Sequence, residues 1–354
     1  MSSLLFINPY FEEELGSSLE ASWQHLMQRH PLYRQLHYLS FLVAQEEQVP
    51  FVVERPSMQY LQTLHDMGLG TRYHTIEETA LSSDSLTSWG ASLSLSLLAL
   101  EKKLSYDMPS WSIVKKVHSK AFSFAVGQKL PHAQWIQEEE QLCIWWHSFS
   151  GPKVLKSLYG FSGRGHFISS GKKEDLVLAL TFFRKNQSSC IAEPWLPRIV
   201  DFSSQWEIQK EGAYRYLGST IFESSSKGVY QRSLAGPESI LFSSYRKELH
   251  EHLSFVEKVV EHLVSLGYFG PLGFDAMIYE EGGKKVLHPL VEINARRTMG
   301  FVALSLHRKL SLSGSLWVRY GAVKDSDRAL LPRSLLLTGG KEVLFAKNLL
   351  VELT

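Results

Sequence analysis

Apolar and polar positions alternate along the chain with two different periods, and the change from one to the other divides it. Leu4 to Asn8, Phe51 to Val53 and Arg72 to Ile76 are short apolar runs that predict strands. Between them, Ser18 to Arg29 (interrupted at Pro31), Tyr33 to Gln45, and Met58 to Met67 (ended by Gly68 or Gly70) carry the helical period. Strands and helices in alternation predict a small parallel α/β layer. A serine-rich stretch, Ser82 to Ser96, predicts a loop turning into a helix at Leu93 to Leu104, and Trp111 to Phe124 reads as a helix leading to a strand at Trp135-Ile136. A strand ending in Lys156 and a helix from Glu174 to Asn186 follow. Trp206 to Ile208, Tyr214 to Phe222 and Gly228 to Leu234 then predict strands, and Tyr245 to Leu266 a long helix. No internal repeat interrupts the series.

Phe274 to Tyr279 and Lys285 to Asn294 are extended runs joined across Glu281-Gly282-Gly283-Lys284, where a Gly-Gly pair supplies the positive φ of a tight hairpin. Side chains alternate faces, so Asp275, Met277 and Tyr279 share one face and Leu290, Glu292 and Asn294 share one face of the partner. With Gly282-Gly283 as a two-residue loop, Asp275 pairs with Leu290 and Glu292 is its diagonal neighbour, roughly 7 to 8 Å away. Pro289 weakens that register because it lacks the ladder donor. Two carboxylates and an amide oxygen form an all-oxygen set suited to a hard cation such as magnesium rather than zinc or copper. An acidic pair neutralised by Arg296 and Arg297 is the other reading, since carboxylates removed from water need compensating charge.

Composition narrows the setting without choosing the chemistry. The 354 residues suffice for two or three domains, with 44% hydrophobic content for their cores. A net charge of +1, from 37 basic and 36 acidic residues, favours neither nucleic acid nor a membrane surface as a bulk partner. Cys143 and Cys190 make neither a disulfide framework nor a thiolate metal site and fit a reducing compartment. No apolar run reaches the roughly 18 residues of a transmembrane helix. With no secretory pattern at the N-terminus either, the expected location is the cytoplasm. Fourteen histidines include no His-Glu-x-x-His, and His250 and His252 are two apart, on different faces of any helix.

Three further stretches carry candidate chemistry. Lys115, Lys116 and Lys120 lie on the helix before Leu130-Pro131, where a solvated face is the ordinary reading. Lys156 runs into a loop, Tyr159 to His166, whose three glycines let backbone amides turn toward an anion. This is neither the P-loop nor the dinucleotide pattern, and Pro9-Tyr10-Phe11 stands after the first strand where a dinucleotide fingerprint would be. Ser189 to Phe202, with Pro194 and Pro197, reads by itself as an edge strand closed by prolines.

In their order, Lys120, Lys156 with its glycine loop, Glu193-Pro194-Trp195-Leu196 and Asp275 with Glu292-Ile293-Asn294-Ala295-Arg296 resemble the stations of the ATP-grasp superfamily over about Trp111 to Leu310. The resemblance implies an α/β (α+β) chain: an N-terminal Rossmann-like pre-ATP-grasp domain, then a two-lobed ATP-grasp domain. Residues 1–108 would be the first domain, 109–190 the N-terminal lobe with the phosphate loop, 191–325 the C-terminal lobe with the metal site, and 326–354 an extension without assigned role. It implies ATP and Mg2+ (with Mn2+ as substitute) as cofactors. Lys120, Lys156, Ser162, Gly163 and Gly165 would meet the phosphates, Glu193, Trp195 and Leu196 the adenine, and Asp201 the ribose. Asp275, Glu292 and Asn294 would hold the metal, and Arg296, Lys156 and Arg297 would serve the chemistry. The implied reaction activates a carboxylate as an acyl phosphate for attack by an amine, forming ADP and phosphate. A kinase on this fold and a nucleotide-binding protein without chemistry stand as alternatives, and a homodimer stays open. Ala295 replaces the family's frequent proline, and no arginine precedes Asp275, which sets the chain apart from the D-alanine ligase branch.

Overall fold

The computed structural model describes residues 2–16, 21–79, 81–160, 165–322, 328–337 and 340–354. Among the described residues the strands form four sheets. The first contains β1 (Ser3–Phe6), β2 (Gln48–Val52), β3 (His74–Thr75) and β4 (Leu86–Ser88), all parallel, in the order β3-β2-β1-β4. The expected α/β layer is present, but β4 lies inside the serine-rich stretch read as loop. At three residues it is too short to show a period, and pairing with β1 rather than its own composition makes it a strand.

A second sheet is antiparallel: β5 (Gln134–Ile136), β6 (Lys153–Ser157), β7 (His166–Ser169) and β8 (Cys190–Pro194), in the order β5-β8-β6-β7. β8 is therefore interior and not the edge its prolines indicated. Pro194 sits at its last position and Pro197 beyond it, so neither removes a donor from the middle of the ladder. The large third sheet has the order β13-β12-β9-β10-β11-β14-β17 and is antiparallel throughout. Its strands are β9 (Arg198–Ile208), β10 (Tyr214–Ser224), β11 (Tyr230–Ala235), β12 (Gly270–Glu281), β13 (Lys284–Asn294), β14 (Leu316–Ala322) and β17 (Lys347–Leu353). β15 (Ser334–Leu336) and β16 (Glu342–Leu344) pair as a separate antiparallel hairpin.

The β12–β13 hairpin turns at Gly282 and Gly283, with φ of +58° and +75°, as the Gly-Gly pair requires. Near the turn the register is the expected one, with Met277 opposite His288. Beyond it the ladder slips at Pro289, and Asp275 faces Glu292 directly instead of Leu290. The proline cannot donate, so β13 bulges there and carries two more residues than β12 over the same span.

The helix expected over Trp111 to Phe124 is two helices, Trp111–His118 and Lys120–Val126. Ser119 between them is extended, and its side chain accepts from the Ala121 N–H. The break makes Lys120 the first residue of a new helix that packs on β13.

One core joins the first layer to the large sheet. Leu5, Phe41 and Leu42 meet Val302 and Leu306 of the helix Met299–Lys309, together with Leu330 and Leu349. Each such side chain contributes about 1.5–3 kcal/mol on burial. The segment after β14, left without a role by the sequence, latches the same joint: Gln35 donates to Pro332 O at 3.1 Å and Tyr60 to Leu330 O at 2.8 Å. Among the described residues no helix is long and apolar enough to cross a membrane.

Candidate functional site

The cleft lies between the β5–β8 sheet and the inner face of the large sheet. It holds about 160 Å³, and a groove of about 830 Å³ past Trp195, Leu196 and Asp201 lies against it. Strand register places a row of polar side chains across four neighbouring strands: Glu292 on β13, Asp275 on β12, Ser203 on β9 and Thr220 on β10. All four line the cleft, with Asn294 and Arg296 beside them.

Burial raises the Asp275 carboxyl to about 7, and the facing Glu292 carboxylate adds to the rise. Hydrogen bonds from Ser203 and Asn294 and the charge of Arg296 oppose it, Asn294 Nδ2 donating at 3.1 Å. Two acids held this way are relieved by a cation. Among the described residues no three His, Cys, Asp or Glu side chains cluster as a metal site. Two carboxylates and an amide oxygen make a short set, which fits magnesium, since that ion keeps positions for water and phosphate oxygens.

From the opposite wall, Lys120 Nζ reaches Glu292 Oε1 at 2.6 Å and Gly160 O at 3.3 Å. Lys156 Nζ reaches Glu193 Oε2 at 2.6 Å, and Arg198 holds Asp201 at 3.1 Å with its guanidinium 4.5 Å over the Trp195 ring. Arg296 Nε donates to Glu12. The cleft's cations are thus each met by a carboxylate, and an anionic ligand must exchange partners to enter. Burial pushes Asp201 upward despite Arg198.

The β9–β12 face closes on the start of the helix Met299–Lys309, whose Thr298 cap accepts from Phe301 N–H and donates to Gln205 Oε1 at 2.8 Å. A Cβ at Gly300 would come within 2.6 Å of Thr220 Oγ1, so only glycine lets the helix begin this close to the sheet. The Thr220 hydroxyl is fully buried and has no hydrogen-bond partner among the described residues. His166 Nδ1 likewise meets no partner among the described residues, and burial with the nearby Lys120, Lys156 and Arg198 holds this imidazole neutral.

The structure brings together Lys120, Lys156, Asp201, Asp275, Glu292, Asn294 and Arg296 around the cleft, with Glu193 behind Lys156. Trp195 and Leu196 line the adjoining groove. The Trp195 N–H is already donated to Pro152 O at 2.9 Å. Gly165 has φ of +86° and lies where a Cβ would strike Ser157 Oγ; Ser162 and Gly163 fall outside the described residues. Arg297 does not line the cleft: its guanidinium is buried against Ser88 O and the Phe301 ring, tying the large sheet to β4. Ser203, Thr220, His166, His288 and Glu12 were not singled out by the sequence. Ser203 and Thr220 carried a readable signal, polar side chains at inward positions of long strands, whereas Glu12 reaches the site only through the fold.

No protein-family model and no curated protein matches the chain. Solved structures do. N5-carboxyaminoimidazole synthetase of Staphylococcus aureus is similar over 100% of this chain and 93% of its own, with TM-score 0.53 and 11% identity. Phosphoribosylamine–glycine ligase of Thermotoga maritima covers 90% of both chains at TM-score 0.57 and 12% identity. The biotin carboxylase domain of Hydrogenobacter thermophilus 2-oxoglutarate carboxylase, in complex with MgADP, ADP and bicarbonate, covers 99% of this chain and 85% of its own at TM-score 0.56 and 13% identity. These are ATP-grasp enzymes, and the likeness shows that this chain has the ATP-grasp fold with its N-terminal domain.

Proposed function

We propose that the protein is an ATP-dependent ligase that activates a small carboxylate as an acyl phosphate and passes it to an amine, releasing ADP and phosphate. The observation that carries the reading is the opposition, across one cleft, of Lys120 and Lys156 to Asp275, Glu292 and Asn294. The names of the similar proteins support it, two being carboxylase or synthetase enzymes and one an amine–glycine ligase, with MgADP in one of them. Small-molecule substrates and a cytoplasmic place of work belong to the same proposal.

In this reading Lys120 leaves Glu292, and Lys156 leaves Glu193, for phosphate oxygens of ATP, while Glu193, Leu196 and Asp201 take adenine and ribose. Asp275, Glu292 and Asn294 would hold Mg2+, which when bound supplies charge neutralisation for the transferring phosphoryl group. Arg296, planar and forked, receives the acyl carboxylate and keeps it in line with the γ-phosphorus. The carboxylate oxygen attacks that phosphorus, the bond to the β-bridging oxygen breaks, and ADP leaves. The amine nitrogen then bonds to the acyl carbon, phosphate departs, and the amine's proton passes to solvent or to a cleft base.

The test is a panel of carboxylic acids and amines scored for dependent ADP release, with hydroxylamine added. Diversion to a hydroxamate is expected. A stable phosphorylated alcohol without hydroxamate would replace the ligase with a kinase.

A further inference from the structure

We infer that Glu12, from the N-terminal layer, is the positioning residue for Arg296. The inference rests on reading Arg296 as the group that faces the acyl substrate.

A guanidinium has five N–H donors in a fixed plane, so the donors already engaged decide which edge is offered to a ligand. Arg296 is engaged twice: Nε donates to Glu12 Oε1, and Nη1 donates to Arg297 O at 2.9 Å. No described residue accepts from Nη2. Two anchors on different nitrogens fix the plane, and the side chain lines the cleft with Asp275 and Asn294 beside it. Glu12 stands behind the arginine and does not line the cleft.

Glu12 is itself held rigidly. It lies in the first turn of the helix Phe11–Gly16, within a run of three acids that fan outward about 100° apart. Glu13 accepts from the Tyr33 hydroxyl, and Glu14 accepts from both Ser94 N and Ser94 Oγ at 2.8 Å. Phe11 is fully buried beneath Gly90, where a Cβ would come within 2.8 Å of its ring, and its ring meets His118 edge to face at 5.3 Å. The helix is pinned on three sides, so the carboxylate it presents is a fixed point. A site otherwise assembled from Lys120 onward thus takes one coordinate from the first layer.

Reach and charge are separable here. Glu12→Gln keeps an oxygen at the same distance and loses the charge; Glu12→Asp keeps the charge and loses a methylene of reach. Arg296 labelling by phenylglyoxal, read by peptide mapping, reports how the fork is held. Inorganic phosphate, added with MgADP bound, serves as the anionic probe. Labelling of Arg296 is expected to be the same in wild type and Glu12→Gln. Glu12→Asp and Glu12→Ala should label several-fold faster and lose phosphate protection by about tenfold. Glu12→Asp behaving as wild type while Glu12→Gln loses protection would overturn the inference, because charge and not position would then matter; so would four identical profiles. If Glu12→Ala does not fold, the Gln and Asp pair decides alone. Calorimetry with MgADP separates the two levels: absent nucleotide binding in the wild type removes the ligase reading, while the labelling without nucleotide still tests Glu12.

Discussion

Two buried polar clusters in this molecule are built from similar residues and end in opposite conditions. One is the crevice at the carboxyl ends of β1 and β4, where the strand order reverses, the usual ligand position in an open α/β layer. Here it is filled and paired: the Asn8 amide donates to Gly90 O at 2.9 Å and accepts from Gly90 N at 3.2 Å, Phe11 covers Gly90, and Glu14 closes on Ser94. The other is the cleft, where Asp275 faces Glu292 and the buried Thr220 and His166 atoms lack partners among the described residues. A cluster whose donors and acceptors match is finished by folding. One left unmatched needs something from outside.

That contrast can be broken most severely at the acids. Asp275→Asn or Glu292→Gln should lower turnover by about a thousandfold with far smaller loss of nucleotide affinity, because charge stabilisation acts where charge moves. Stability by urea denaturation should hold or rise in Asp275→Asn, where the acid–acid opposition is relieved, and fall in Glu292→Gln, which leaves the buried Lys120 without its carboxylate. Unfolding of Asp275→Asn instead would make the cleft a structural cluster like the crevice. Next in size, Lys156→Ala should weaken MgADP binding by about a hundredfold, since a charge-assisted contact of about 2–3 kcal/mol is lost. Unchanged affinity of the folded variant, measured by calorimetry, would remove Lys156 from the site.

On the crevice side the expectation reverses. Asn8→Ala should destabilise the protein by about 2 kcal/mol, leaving Gly90 N–H and C=O unpaired, while nucleotide affinity stays put. A change in affinity would show that the two regions are not separate in function.

The smallest effect is shared by both regions. Burial lowers His37 in the first layer and His252 behind the hairpin to about 4 from 6.5. His37 lies between Ile7 O and Val53 N–H, His252 between Pro289 O and the Ser204 hydroxyl. Because the folded values are depressed, the unfolded chain binds more protons between the two. The contribution of these two rings to stability is therefore complete above about 6.5 and falls as pH drops toward 4, by on the order of 1 kcal/mol per unit for each ring. Denaturation midpoints across that range check it: His37→Gln should lose its share of the slope, and the same slope in variant and wild type would contradict it.

Much of this was legible in the sequence, for reasons that differ by element. Gly282-Gly283 announced its turn because positive φ is a property of the residue itself, and the long helical period from Tyr245 to Leu266 announced the helix Arg246–Ser265. Lys156 and Glu193 stood out because each is the last but one residue of its strand, beside glycines or prolines that mark the strand's end. What stayed hidden was relational. The bulge at Pro289 turns a diagonal pair into a facing one, β8 becomes interior through partners far away in sequence, and Glu12 reaches Arg296 across 284 positions. No local period encodes such distances.

The joint that binds Leu5 and Phe41 to Leu330 and Leu349 also sets a timetable. On a ribosome adding about 5–20 residues each second, the first layer emerges tens of seconds before the strand that completes its core. During that interval an apolar face waits without its partner. Synthesis of this chain therefore exposes its earliest layer longest, and a premature stop between the first layer and β17 leaves a finished-looking α/β unit with one side open to chaperones and proteases.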